Sequence, residues 1–274
     1  MAQQQPPGPP NPAQIYEDYF IAGGFSAWAE DFVDRARPAA TERVLDIACG
    51  TGIVARTVAR RVGASGRVIG VDLNPAMIEV ARATAEREGH RIEWHVGSAE
   101  SLPFADASSD LVLIQQGVQF FRDRLLGLGE AYRILAPGGR IATSTWSAIE
   151  NNPLYQEFSA VVERHLGTRA IYVPFSLGDE ETLRSLIADA GFEQITIERV
   201  RRTVRLPTPP KFVEYGVAAA VAAVPEFQSM QRGEQVGLVE AIRSDMAEPL
   251  HRFSDGDRLR CPMESQMLIA YKHA

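Results

Sequence analysis

Two carboxylates and a glycine pair are spaced for chemistry on a polar ligand. Asp46 lies four residues before Gly50, Gly52 follows, and Asp72 comes 22 residues after Gly50. Glycine adopts backbone angles closed to other residues and lets a ligand touch the main chain. A helix opening at 52–53 points its positive end at the same place. An acid at the end of the following strand can hold the two hydroxyls of a ribose. A nucleotide-like ligand is therefore the expected occupant. Gly50-x-Gly52-x-x-Ala55 also fits the loose NAD fingerprint, a pattern that cannot choose the cofactor alone.

Asp46 narrows the choice. A carboxylate beside the glycine turn repels a pyrophosphate and attracts an ammonium group. S-adenosylmethionine (SAM) carries a ribose, an adenine, a sulfonium and an ammonium, and no phosphate, so the acid–glycine–acid layout suits it better than NAD.

The elements needed to position these groups are legible. Strands are expected at 43–47, 67–71, 91–96, 110–114, 140–145, 194–205 and 265–272. Helices are expected at 16–20, 25–37, 53–61, 75–88, 123–135, 152–166, 179–190, 211–224 and 232–247. Asn74-Pro75 is a helix start, with Asn as cap and Pro in the first turn, and Gly89 ends that helix. Strands such as Leu111-Val112-Leu113-Ile114 are continuously apolar, as strands covered on both faces are. The alternation predicts an α/β fold: a Rossmann-like, seven-stranded, mostly parallel sheet with helices on both faces, plus helical N-terminal and inserted lid segments. In such sheets ligands bind beyond the carboxyl ends of the strands, where Asp46, Gly50 and Asp72 fall.

The stretches VLDIACGTG (44–52), VIGVDLNPAMIEVAR (68–82), GSAESLPFADASSDLV (97–112) and ILAPGGRIATSTW (134–146) resemble the class I SAM-dependent methyltransferases. Within them, the chain resembles the type 11 group of ubiquinone/menaquinone C-methyltransferase relatives. The likeness covers about residues 40–200 and the terminal strand, including AGF at 190–192. It implies that Asp46, Ala48, Gly50 and Gly52 line the methionine and ribose end of the cofactor, that Asp72 binds the ribose, and that Leu73 lies beside the adenine. Ser98 and Ala99 fall where relatives read GDA and contact the adenine edge; Ser98 replaces the usual acid, so that contact loses its charge. Gln115 follows the fourth strand, where relatives touch the methionine part.

Composition excludes other classes. The formal net charge is -7, and Lys211 and Lys272 are the only lysines among 28 basic residues. An acidic chain without a basic face is a poor nucleic-acid binder; the arginine skew reads as a GC-rich, bacterial genome. Residues 1–12 form a Pro-rich stretch without the basic and apolar regions of a signal peptide and are expected to be a disordered tail. The longest apolar run, 217–224, is too short to span a bilayer. Cys49 and Cys261 lack metal-ligand spacing and read as reduced thiols of a cytoplasmic protein. Cys49, with no histidine near it in sequence, reads as a packing residue rather than a nucleophile. No metal is expected.

Residues 13–40 carry Tyr16, Tyr19, Phe20, Phe25 and Trp28, and are read either as a lid over cofactor and substrate or as a helix pair on the domain edge. The rest, 41–274, is the SAM-binding domain, with variable acceptor segments near 147–178 and 206–250. The expected reaction is transfer of a methyl group to an O, N or C nucleophile of a small, apolar, cyclic or aromatic metabolite. The alternatives are a SAM-fold protein with a non-methylating reaction or a ligand-binding regulator and, less favoured, an NAD-dependent oxidoreductase. The catalytic candidates are Gln119 and Tyr16, to orient the acceptor, with His165 and His251 as outside candidates for a base. Nothing in the sequence sets the oligomeric state.

Overall fold

In a computed structural model, which describes residues 11–218 and 224–273, one twisted sheet organises the chain. Its strands are β1 (Arg43–Ile47), β2 (Arg67–Asp72), β3 (Glu93–Val96), β4 (Ser109–Gln115), β5 (Leu135–Trp146), β6 (Glu193–Pro207), the two-residue β7 (Ser254–Asp255) and β8 (Arg258–Tyr271). Their order is β3-β2-β1-β4-β5-β8-β6, with β7 paired to β8. The first five are parallel, and β8 inserts antiparallel between β5 and β6. The order reverses at β1 and β4, so a crevice opens beyond their carboxyl ends.

The sheet is covered on both faces, because successive side chains of each strand alternate between two cores. Val44, Val68, Leu111 and Leu113 pack with α2 (Ser26–Ala36) and α3 (Ile53–Val62). Leu45, Ile69, Val112 and Ile114 pack with α5 (Arg124–Ile134) and α7 (Glu180–Asp189). The helix α4 (Pro75–Glu88) starts and stops as its sequence predicts: the Asn74 side chain accepts from the Ala76 N–H, and Gly89 closes it in the left-handed region.

The expected α/β sheet is present, with local differences. The terminal strand begins at Arg258 rather than near 265, because its first half pairs with β6 and, at Arg258 and Leu259, with β7 before β5 joins at Ser265. The sheet has eight strands rather than seven, the extra one being the short β7. The two expected N-terminal helices are one nearly continuous run: α1 (Pro12–Ile15), a π-helical stretch Tyr16–Phe25, and α2. Its kink is at Gly24, with φ 145, a conformation that glycine allows. The expected helix 211–224 is seen as α8 (Lys211–Gly216), and residues 219–223 lie outside the described set, as do residues 1–10 of the expected tail. Downstream come α9 (Pro225–Gln228), α10 (Arg232–Asp245) and α11 (Ala247–Phe253), while α6 (Pro153–Leu166) precedes α7. Among the described residues no helix is long and apolar enough to cross a membrane.

Candidate active site

A cavity of about 700 Å³ lies at the carboxyl ends of β1, β2 and β4. Asp46, Ala48, Gly50, Asp72, Leu73, Ser98, Ala99, Gln115 and Tyr16 all line it. The chain after β1 must turn sharply to bring backbone to the cavity wall, and Ala48, Gly50 and Gly52 have positive φ (55, 54 and 85). Gly52 is not on the wall. A Cβ there would lie 2.4 Å from Trp94 Cη2, so Gly52 serves close packing and the entry to α3. Thr51, Asn74, Met77, Glu100, Phe121 and Arg122 also line the cavity and were not singled out by sequence; they neighbour the motif residues, and only that adjacency could have signalled them.

The two acids differ in setting. Asp46 is 1% exposed, and its Oδ2 accepts from the Ala55 N–H at 3.0 Å. Burial pushes its carboxyl well above the ordinary range; the Ala55 N–H draws it back, and Asp72 raises it further. Asp72 ties two loops together, accepting from the Gly50 N–H at 2.8 Å and the Asn74 N–H at 2.9 Å. Burial raises its pKa against the pull of those two donors. Neither forms an ion pair among the described residues. The cavity thus holds two desolvated carboxylates without a cationic partner, which is the complement of a ligand carrying an ammonium and a sulfonium. The Asp72 oxygens keep acceptor capacity for hydroxyls beyond their backbone bonds. Leu73, 72% exposed at the rim, offers an apolar surface to a base. Ser98 Oγ accepts from the Glu100 N–H at 3.1 Å, which fixes the turn and leaves its O–H free to donate. The residues present fit SAM.

A second cavity of about 200 Å³ adjoins the first and shares Tyr16, Gln115, Gln116 and Phe120 with it. Its walls are mostly aromatic: Phe20, Phe25, Trp28, Trp146, Tyr155, Phe158 and Phe175 join Tyr16 and Phe120. The rings interlock, Trp28 edge-on to Trp146 at 5.4 Å and Phe25 tilted against it at 5.6 Å. The Gln115 amide donates to the Trp28 carbonyl at 3.1 Å and so fastens α2 to the end of β4.

The N-terminal run is part of this wall and of the main core, for Tyr19, Phe20, Trp28 and Phe32 are all buried there. A buried arginine anchors it. Arg56 is 1% exposed; its Nη2 donates to Glu17 Oε1 at 2.6 Å, its Nη1 donates to the Thr51 carbonyl, and its Nε lies 3.2 Å from Glu88. One side chain therefore holds both the N-terminal run and the glycine turn. Sequence reading missed Arg56, which looks like any helix arginine until its neighbours are known.

The remaining candidates fall elsewhere. Gln119 is 2% exposed and lines neither cavity; the short turn Val118–Phe120 aims Phe120 at the cavities and Gln119 inward, where it donates to Gln116 Oε1 at 2.9 Å. It can act on a ligand only through Gln116. His165, near the end of α6, bonds Asp245 at 3.1 Å, and His251 is exposed on α11; neither lines a cavity. Tyr16 does stand where expected, at the junction. Burial, with help from Glu17 and Asp72, pushes its hydroxyl up to about 12, so it is a donor at neutral pH and no base.

The sheet order, the glycine turn, the paired acids and the adjoining apolar chamber define a class I SAM-dependent methyltransferase that acts on a small molecule. The comparisons agree. The profile of the ubiE/COQ5 methyltransferase family matches residues 18–168. The ubiquinone/menaquinone biosynthesis C-methyltransferase UbiE of Dinoroseobacter shibae is 33% identical over 196 residues, 66% of this chain and 78% of that protein. The 2-phytyl-1,4-naphtoquinone methyltransferase of Thermosynechococcus vestitus is 33% identical over 200 residues, 67% and 88% of the two chains. In fold, the chain is similar to a phosphoethanolamine N-methyltransferase 2 of Haemonchus contortus (TM-score 0.60, 22% identity, 96% of this chain and 57% of that one). The chain belongs to the ubiE/COQ5 methyltransferase family.

Proposed function

We propose that the acceptor is a quinol-type aromatic ring that is methylated while seated in the aromatic chamber. The observation that carries this reading is the chamber itself, about 200 Å³ of mainly aromatic wall opening onto the cofactor cavity. Pockets of this kind hold flat apolar ligands and use few polar groups to orient them. The two relatives, a ubiquinone/menaquinone biosynthesis C-methyltransferase and a 2-phytyl-1,4-naphtoquinone methyltransferase, point the same way.

When bound, SAM supplies an electrophilic methyl group on a sulfonium. In this reading the acids Asp46 and Asp72 hold its ammonium and ribose, and Leu73, Ala99 and Ser98 receive the adenine. Tyr16, Gln115, Gln116 and Phe120 stand between the two cavities and align the acceptor with the methyl group. The rings of the N-terminal segment, 13–40, and of 147–178 exclude water, and alignment with exclusion of water is the main catalytic contribution. The segment 206–250 contributes Gly216 to the wall. Two free buried thiols fit a cytoplasmic setting.

The test is product analysis. Purified protein is incubated with SAM and a chemically reduced naphthoquinone or benzoquinone, and products are followed by mass spectrometry together with S-adenosylhomocysteine release. A ring-methylated product is expected. Absence of turnover with either ring system, alongside methylation of some other metabolite class, would defeat the quinol reading.

A further inference from the structure

Among the described residues, two phenol hydroxyls on the chamber wall make no hydrogen bond to the protein: Tyr16 at the junction and Tyr155 on α6. Tyr155 is gripped by its ring, tilted against Phe175 and edge-on to Phe212, both at 5.7 Å. A ring held on two sides with its hydroxyl unpaired presents a fixed donor to whatever fills the chamber. The Gln115 and Gln116 amides are engaged, donating to the Trp28 carbonyl and to Ser265 Oγ at 3.3 Å, while the buried Trp28 indole N–H also has no partner among the described residues.

Among the described residues the chamber wall offers no base: its titratable side chains there are Tyr16 and Tyr155. Burial raises the Tyr155 hydroxyl well above its ordinary value, with Cys261, Tyr19 and Tyr16 adding to the effect. It stays protonated at working pH, as Tyr16 does. The charged groups of the neighbouring cavity, Asp46, Asp72, Glu100 and Arg122, lie on the cofactor side.

We propose that the Tyr155 hydroxyl donates a hydrogen bond to a ring oxygen of the acceptor, and that this oxygen, ionised without help from an enzyme base, supplies the electrons for methyl transfer. This rests on the aromatic-acceptor reading and adds to it the group that recognises the ring. The balance closes with solvent as the proton sink. The acceptor's O–H proton goes to bulk water before the ring enters the dry chamber, and there the electron pair moves from oxygen to the ring carbon that attacks. A carbon–methyl bond forms as the methyl–sulfur bond breaks, its pair staying on sulfur. The ring hydrogen then leaves as a proton to restore aromaticity.

The experiment compares two probes, 1-naphthol and naphthalene, which differ by one hydroxyl. Binding of each to the full chain saturated with S-adenosylhomocysteine is measured for the wild type, Tyr155→Phe and Tyr16→Phe. Unchanged S-adenosylhomocysteine affinity reports an intact fold. The ratio of naphthol to naphthalene affinity is expected to fall about tenfold in Tyr155→Phe, the scale of one hydrogen bond, with naphthalene affinity unchanged. A ratio within about twofold of wild type, or a loss seen in Tyr16→Phe instead, overturns the assignment of Tyr155 and leaves the aromatic acceptor standing. If neither probe binds the wild-type chamber, the acceptor reading fails and this inference fails with it.

Discussion

Replacing Asp46 by Asn should move stability and cofactor binding in opposite directions. The side chain is 1% exposed, has one hydrogen bond, from the Ala55 N–H, and lies near a second acid. Asn has the same size and keeps an acceptor for Ala55, so the change removes charge alone. Because burial raises the carboxyl's pKa in the folded state, the native protein binds that proton more tightly than the unfolded chain. Stability is accordingly lost as pH rises from the unfolded pKa to the raised folded one. Asp46→Asn should therefore stabilise the ligand-free protein at neutral pH. For a chain of this size each 1 kcal/mol of stabilisation raises Tm by about 2–4 °C. With ligand the sign reverses. A lost charged contact costs about 1.5–3 kcal/mol, so S-adenosylhomocysteine should bind on the order of 10- to 150-fold more weakly. Thermal unfolding with and without ligand, with calorimetry for affinity, reads both effects. A lower Tm without ligand, together with unchanged affinity, would refute the argument and make Asp46 a structural cap of the turn.

Two further outcomes follow from the same geometry. Arg56→Met leaves the buried Glu17 carboxylate unpaired and should cost about 3–5 kcal/mol in urea unfolding, most of it recovered in the Glu17→Leu/Arg56→Met double variant; strictly additive effects would deny the coupling. Asp72→Ala frees the Gly50 and Asn74 N–H groups and should weaken SAM and S-adenosylhomocysteine alike by roughly 1.5–3 kcal/mol, whereas equal affinities in calorimetry would remove Asp72 from the site.

The nucleotide half of the molecule was readable because its signals are local. The alternation of strand and helix, the cap at Asn74 and the acids at two strand ends each depend on a few consecutive residues, and the sheet follows from them. The aromatic chamber is built from contacts distant in sequence. Tyr155, Phe175 and Phe120 lie on three separate elements, and no periodicity announces their meeting. Gln119 misled for a related reason. A polar residue past an apolar strand suggests a site, but a single turn decides which of three neighbours faces it. The N-terminal aromatics could not be placed from sequence because their contacts are distant: the same rings line the chamber and fill the core.

The indole of Trp94 has a bearing on how such a protein can change over time. A Cβ at Gly52 would lie 2.4 Å from its Cη2, and one at Gly70 would lie 2.4 Å from its Cζ3. Two glycines, one before α3 and one within β2, are thus shaped around a single ring on β3. Neither can acquire a side chain while the tryptophan stays, yet shrinking the tryptophan first leaves a void beneath the glycine turn. Trp94 and Gly70 form a ratchet. A lineage that replaces Trp94 by a small residue gains room at Gly70, while the φ of 85 still holds Gly52 to glycine, and once Gly70 is filled the return to tryptophan is closed.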